Sequence, residues 1–202
     1  MEPRFARALR TLAELFNAAS HALRVPIRFA LIGGLGVSTW GAVRATEDID
    51  LLADSDPSPL NDVAFRDRLG KYLEDKNCGM EWRIGEPDDP IRLLLRLRLP
   101  GRARGLRVDI LWAHKRWQRD ALLRRISIKI SRREFFVLHP EDLILMKLEA
   151  GGPQDLLDVE ALVSRPPPEL NLRSLQQSAA SLRLGGPLDK CLRSAEVKPK
   201  KT

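Results

Sequence analysis

The chain has 202 residues, which suits one domain of ordinary size with room for a small helical appendage. Hydrophobic residues make up 44% and charged residues 30%, so the chain can fill a core and stay soluble, and no apolar run approaches the roughly 20 residues that cross a bilayer. The formal net charge of +7 (34 basic against 27 acidic residues) attracts polyanions such as nucleotides or RNA, although arginines spread along a chain can also simply follow base composition. Two cysteines, Cys78 and Cys191, lie far apart and form no Cys-x-x-Cys pair, which argues against structural zinc and for free thiols. Met1–Leu23 carries Arg and Glu at intervals and lacks the apolar core of a secretion signal, so the expectation is a cytoplasmic protein without a membrane partner.

In chain order, Phe5, Leu9, Leu12, Leu15, Phe16 and Leu23 recur at helical spacing and predict an amphipathic helix ended by Pro26. Ile27–Ile32 is a short apolar run with β-branched and aromatic members, hence a buried strand, broken by Gly33-Gly34. A short helix is expected over Leu35–Val43, and a second strand over Asp48–Ala53. Leu60–Lys76 has helical periodicity. Met80–Ile84 and Ile91–Leu99 read as strands joined by a turn; from Arg92 the latter falls into a period of two, with one wet and one dry face. Leu106–Trp112 is another strand, Trp117–Arg125 a helix, and Ile126–Ile130 with Glu134–Leu138 a hairpin.

The final third is helical in pattern. Pro140–Ala150 has proline at a favoured first-turn position, Gly151-Gly152-Pro153 stops it, and Gln154–Val163 follows. Pro166–Pro168 forms a stiff break, and a last helix covers Leu170–Leu184. The expected organisation is a core over 1–138, a helical C-terminal extension packed on it over 139–190, and a basic disordered tail over 191–202, ending in Lys198–Thr202.

The chemistry concentrates in two strands. Alternate side chains of a strand share a face, so Asp48 and Asp50 point one way and Ile49 into the core. Two carboxylates on a rigid strand make a platform for a hard cation such as magnesium, which takes oxygen ligands and shares them with phosphates. In Arg107–Leu111, Val108 and Ile110 face the core and Asp109 the other side. If the two strands are neighbours, three carboxylates converge, a set able to hold two metal ions for in-line attack on phosphorus. Without a cation such a set repels itself. Gly33-Gly34, between a strand and a helix, would let phosphate oxygens approach the backbone. It is neither a Walker loop nor a dinucleotide fingerprint.

Ala30-Leu31-Ile32-Gly33-Gly34-Leu35-Gly36-Val37 with Arg44-Ala45-Thr46-Glu47-Asp48-Ile49-Asp50-Leu51 resembles the nucleotidyltransferases of the DNA polymerase beta superfamily, most of all the AbiEii-type toxins and minimal nucleotidyltransferase-like proteins. His139–Leu148 and Gly152–Val159 resemble the helical region of the same proteins, so the likeness spans roughly 27–165. It implies an α/β (α+β) fold, a mixed sheet flanked by helices, with Mg2+ (or Mn2+) as cofactor. It also implies transfer of a nucleoside monophosphate from an NTP to a hydroxyl of tRNA or other RNA, a protein or a small molecule.

By that resemblance Asp48, Asp50 and Asp109 would bind metal, with Asp109 also activating the acceptor hydroxyl, and Gly33 and Gly34 would cradle the triphosphate. The superfamily's usual Gly-Ser is Gly-Gly here, so its phosphate-touching serine is missing. Arg44 could fork onto phosphate or face solvent, and Thr46 could shape or cap the loop. Lys147, in the middle of an apolar helix, could reach a triphosphate or snorkel to the surface. Asp155 could hold Lys147 or Arg44 in place, and Asp158 shares its helix face. His21, His114 and His139 lack metal-ligand spacing, and Trp82, Trp112 and Trp117 are read as packing residues. The competing readings are a nucleotide- or RNA-binding module without chemistry, and an antitoxin-like protein that binds the product of a neighbouring gene.

Overall fold

A computed structural model describes residues 3–42, 45–100, 106–130 and 133–197. Arg44 and Lys198–Thr202 lie outside the described residues, and so does that part of the expected tail. The fold is a mixed α/β arrangement: one seven-stranded sheet in the order β3-β4-β5-β2-β1-β7-β6, flanked by helices. The strands are β1 (Ile27–Leu31), β2 (Asp48–Ser55), β3 (Gly79–Ile84), β4 (Leu93–Arg98), β5 (Arg107–Trp112), β6 (Ile126–Ile130) and β7 (Arg133–Val137). The sheet is mixed because β2 pairs with β5 and β1 with β7 in parallel, while β1–β2, β3–β4, β4–β5 and β6–β7 are antiparallel.

Helix α1 (Pro3–Leu23) buries Phe5, Ala8, Leu9, Leu12, Phe16 and Ala19, a stripe at three- and four-residue spacing, against β1, β7 and α3 (Val63–Asp75). Asp62 caps α3 by accepting a hydrogen bond from the Phe65 N–H at 2.8 Å. α4 (Arg116–Leu123) begins where the Gln118 side chain reaches back to accept from the His114 and Lys115 N–H groups. The alternation read in β4 holds: Leu93, Leu95 and Leu97 are buried, and Leu94, Arg96 and Arg98 face away from them. Both cysteines are buried, and neither is in a disulfide. Among the described residues no helix is long and apolar enough to cross a membrane.

The C-terminal third forms a helical cluster of α5 (Pro140–Ala150), α6 (Pro153–Ser164), α7 (Leu172–Ser181) and α8 (Gly185–Val197). α5 and α6 both pack on α2 (Gly33–Thr39), beside the first turn after β1. Pro140 starts α5, and Gly151 ends it in the left-handed conformation (φ 65°) that glycine adopts without strain. Two expectations need correction here. The residues 191–197 are not tail but the end of α8. The helix expected over Leu170–Leu184 is the shorter α7, and it is not the last: α8 follows from Gly185, with Pro187 in its first turn, where the missing N–H costs nothing. Leu188 and Cys191 then bury against the cluster, and α8 packs on α6. The glycine pair at 33–34 likewise opens α2 rather than preceding it, and the helix ends at Thr39, short of Val43.

Candidate active site

Strand register assembles the site. β2 and β5 run parallel with Asp48 opposite Arg107 and Asp50 opposite Asp109. β5 and β4 run antiparallel with Arg107 opposite Arg98 and Asp109 opposite Arg96. One face of the sheet therefore carries two transverse rows, Asp48–Arg107–Arg98 and Asp50–Asp109–Arg96. Ile49, Val108, Ile110, Leu95 and Leu97 are fully buried on the other face. The expected neighbourhood of the two acidic strands is met, and all three carboxylates stand on one side of the sheet.

The arginines hold two of those acids. The Arg96 guanidinium grips Asp109 side-on, Nε donating to Oδ1 and Nη2 to Oδ2, both at 2.8 Å. Arg107 donates to Asp48 and also lies 3.7 Å from Asp109 Oδ2. Among the described residues, no three His, Cys, Asp or Glu side chains are gathered as they sit into one ligand set.

Asp50 has no such fork. Burial pushes its pKa up to about 6, and Asp109 and Asp48 add to the rise, while Lys147 and Arg107 pull against it. Its position explains Gly33. The Ile32 N–H donates to the Asp50 carbonyl at 3.0 Å, which brings the start of α2 against β2. Gly33 then turns the chain at φ +57°, and a Cβ there would lie 2.0 Å from Asp50 Oδ2. Gly34 is buried in the first turn of α2.

Lys147, on α5, is only 8% exposed, and it does not snorkel. Its Nζ lies 2.6 Å from Asp155 Oδ1 and 2.9 Å from Asp158 Oδ2, both on α6. The expectation that Asp155 holds Lys147 is met, and Asp158, on the same helix face, does the same from a more buried place. Thr46 Oγ1 donates to the Asp48 carbonyl at 3.3 Å, so this threonine shapes the lead into β2. Trp112 is buried against Trp82, ring centroids 6.0 Å apart, a packing role as expected.

Between the sheet face and α5 lies a cavity of about 380 Å³. Gly33, Asp50, Asp109, Lys147 and Asp155 border it, so residues from β2, β5, α2, α5 and α6 meet there. The rest of its lining is largely apolar and includes Ile91, Leu94, Leu111 and Met146. Its size is that of a small-molecule site. Three charged residues around it went unmarked in the sequence reading. Arg96 was read only as part of a wet face, Arg107 only as a strand member, and Glu149, which accepts from Lys115 Nζ at 2.7 Å, as part of a helix. The first is set opposite Asp109 by the antiparallel β4–β5 register.

No family model matches this chain, and no curated protein matches it. Similar solved structures include an antigenic nucleotidyltransferase-like protein from Paracoccidioides brasiliensis, 16% identical, covering 92% of each chain with a TM-score of 0.46. Another is ANT(2")-Ia in complex with adenylyl-2"-tobramycin, 14% identical over 93% of this chain and 98% of that one, with a TM-score of 0.40.

Proposed function

We propose that this chain is a nucleotidyltransferase that moves a nucleoside monophosphate from a nucleoside triphosphate to an acceptor hydroxyl. The carrying observation is the register that sets Asp50 opposite Asp109, with Asp48 on the same face, at the border of a ligand-sized cavity. The motif resemblance of residues 27–165 to the DNA polymerase beta superfamily, its AbiEii-type branch included, supports the same reading.

The donor set fits a divalent cation. It is all carboxylate oxygen, the chemistry magnesium or manganese takes, and Asp50 is an acid whose pKa is raised first by burial and then by the neighbouring Asp109 and Asp48. Asp48, Asp50 and Asp109 would hold the ions, with Asp48 and Asp109 turning from their arginines. When bound, the ions neutralise the triphosphate and stabilise the attacking and leaving oxygens. The chain's own groups supply the rest. Asp109 would take the proton of the acceptor hydroxyl as its oxygen bonds to the α-phosphorus and the bond to pyrophosphate breaks. Lys147, fixed by Asp155 and Asp158, presents positive charge to the cavity. Gly33 keeps the floor beside Asp50 free of a side chain.

The acceptor we propose is an RNA 3′ end or a protein hydroxyl, in line with the net charge of +7. Labelled NTPs incubated with total RNA and cell protein test it. Asp48→Asn should abolish transfer with the fold intact, and full activity in that variant would refute the assignment. One observation favours a second reading, a nucleotide- or RNA-binding module without turnover: arginines already occupy Asp48 and Asp109. Calorimetry showing ATP binding without turnover on any acceptor would support it. We also propose a link to a toxin–antitoxin pair, and co-purification with a neighbouring gene product is its test.

A further inference from the structure

We propose that Arg96 is the resident counter-ion of Asp109 and that a divalent cation must displace it, so that Arg96 sets how tightly the site holds its metal. The inference rests on the carboxylate site described above and concerns a residue to which that reading gave no role.

The geometry carries it. Arg96 uses two nitrogens on the two oxygens of Asp109, a planar fork at 2.8 Å on each side. A guanidinium seated that way occupies both carboxylate oxygens that a divalent cation would take, and its fixed positive charge would oppose that cation. The pair is sheltered: Arg96 is 21% and Asp109 13% exposed, so water screens it weakly. The contact is also built into the backbone, since residues 96 and 109 stand opposite each other in the β4–β5 register. Arg98, two residues along the same strand, faces the same side but stands opposite Arg107 rather than an acid. The cavity beside Asp109 gives the released guanidinium a destination, because an incoming triphosphate offers oxygens in the same forked geometry. Cation and nucleotide would then bind more tightly together than either alone.

Manganese binding to the full chain without nucleotide, followed by the electron paramagnetic resonance of free Mn2+, tests the idea. Arg96→Gln should bind Mn2+ about tenfold more tightly than the wild type, the effect expected for losing one cation beside a carboxylate. Arg96→Lys, which keeps the charge, should stay within about threefold of the wild type. Arg98→Gln makes the same change of net charge and should move the affinity less. The Arg96→Gln gain should disappear in an Asp109→Asn background. Unchanged or weaker binding in Arg96→Gln overturns the proposal and makes Arg96 a support that orients Asp109. A gain that survives Asp109→Asn, or is equalled by Arg98→Gln, also overturns it, because the effect is then one of overall charge. Absence of Mn2+ binding in every variant removes the cation site itself, and the proposal falls with it. Thermal unfolding of each variant verifies the fold, and Arg96→Lys keeps the comparison open if Arg96→Gln does not fold.

Discussion

The Asp50 carboxylate occupies the space where a side chain on residue 33 would stand, with Oδ2 2.0 Å from a Cβ built on Gly33. The two positions are therefore one packing unit. Gly33→Ala must move Asp50 and also holds an L-residue at φ +57°, which costs about 1–2 kcal/mol by itself. The expected outcome is a lower melting temperature and weaker cation binding. In an Asp50→Ala background most of the steric part should vanish, leaving the backbone part. A double-mutant cycle by urea denaturation measures it, and strict additivity would show that the two residues do not share this space.

Asp50 also predicts a pH dependence. Its folded pKa of about 6 lies above the ordinary 3.8, so the folded state favours the protonated acid. The resulting stability is complete below pH 3.8 and is lost as pH rises through about 6. Linkage puts the loss at roughly 2–3 kcal/mol as an upper bound. Without divalent cations, Asp50→Asn should therefore be more stable than the wild type at pH 7.5 and nearly equal to it at pH 4. Magnesium should stabilise the wild type above pH 6 and the variant much less. Denaturant midpoints across pH check both. A wild type more stable than Asp50→Asn at pH 7.5 without cations would contradict the sign.

Lys147 sits between two carboxylates from α6 and is nearly buried. Lys147→Met leaves Asp155 and Asp158 without their common cation, and breaking a buried pair in this way costs about 3–5 kcal/mol. The loss should fall mainly on the helical cluster. Chemical denaturation gives the size, and hydrogen exchange in α5 and α6 gives the place. A neutral result would mean that the triad contributes nothing net to stability.

Glu141 ties two helices together. It is buried in the first turn of α5, and its Oε1 accepts from the Asn171 N–H at 2.7 Å, at the cap of α7. Glu141→Ala should cost about 1–2 kcal/mol and speed exchange first in α7, before the sheet is affected. Uniform acceleration across the whole chain would oppose this order.

Much of the framework was legible because its periodicities are strong. The stripe from Phe5 to Ala19, the alternation of Leu93, Leu95 and Leu97, and Asp48-Ile49-Asp50 each follow from one residue's relation to its neighbours. What escaped needed two segments at once. α8 was hidden because Gly185-Gly186-Pro187 has the composition of a stop, and only burial of Leu188 and Cys191 against the cluster makes it a start. The site divided the same way. The three aspartates stood out by spacing, whereas the fork of Arg96 on Asp109 depends on strand register and on rotamers that no local pattern records. The extra grip of Asp158 on Lys147 depends on how two helices dock. Gly33 stood out in the sequence as a place where phosphate oxygens could approach the backbone, whereas the close neighbour of residue 33 in the structure is the Asp50 side chain, which no local pattern records.

The two strands that carry the acids lie inside the sheet, β5 between β4 and β2, and β2 between β5 and β1. Their main chains are laced on both edges, so neither can slide or tilt without tearing a neighbour's ladder. Any exchange of the arginine-paired arrangement for one that holds a cation would therefore take place beyond the Cα atoms, through torsions of Asp48, Asp109, Arg96 and Arg107. Such rotations run on fast timescales, so slower rearrangements would fall to helices and ligands at the rim.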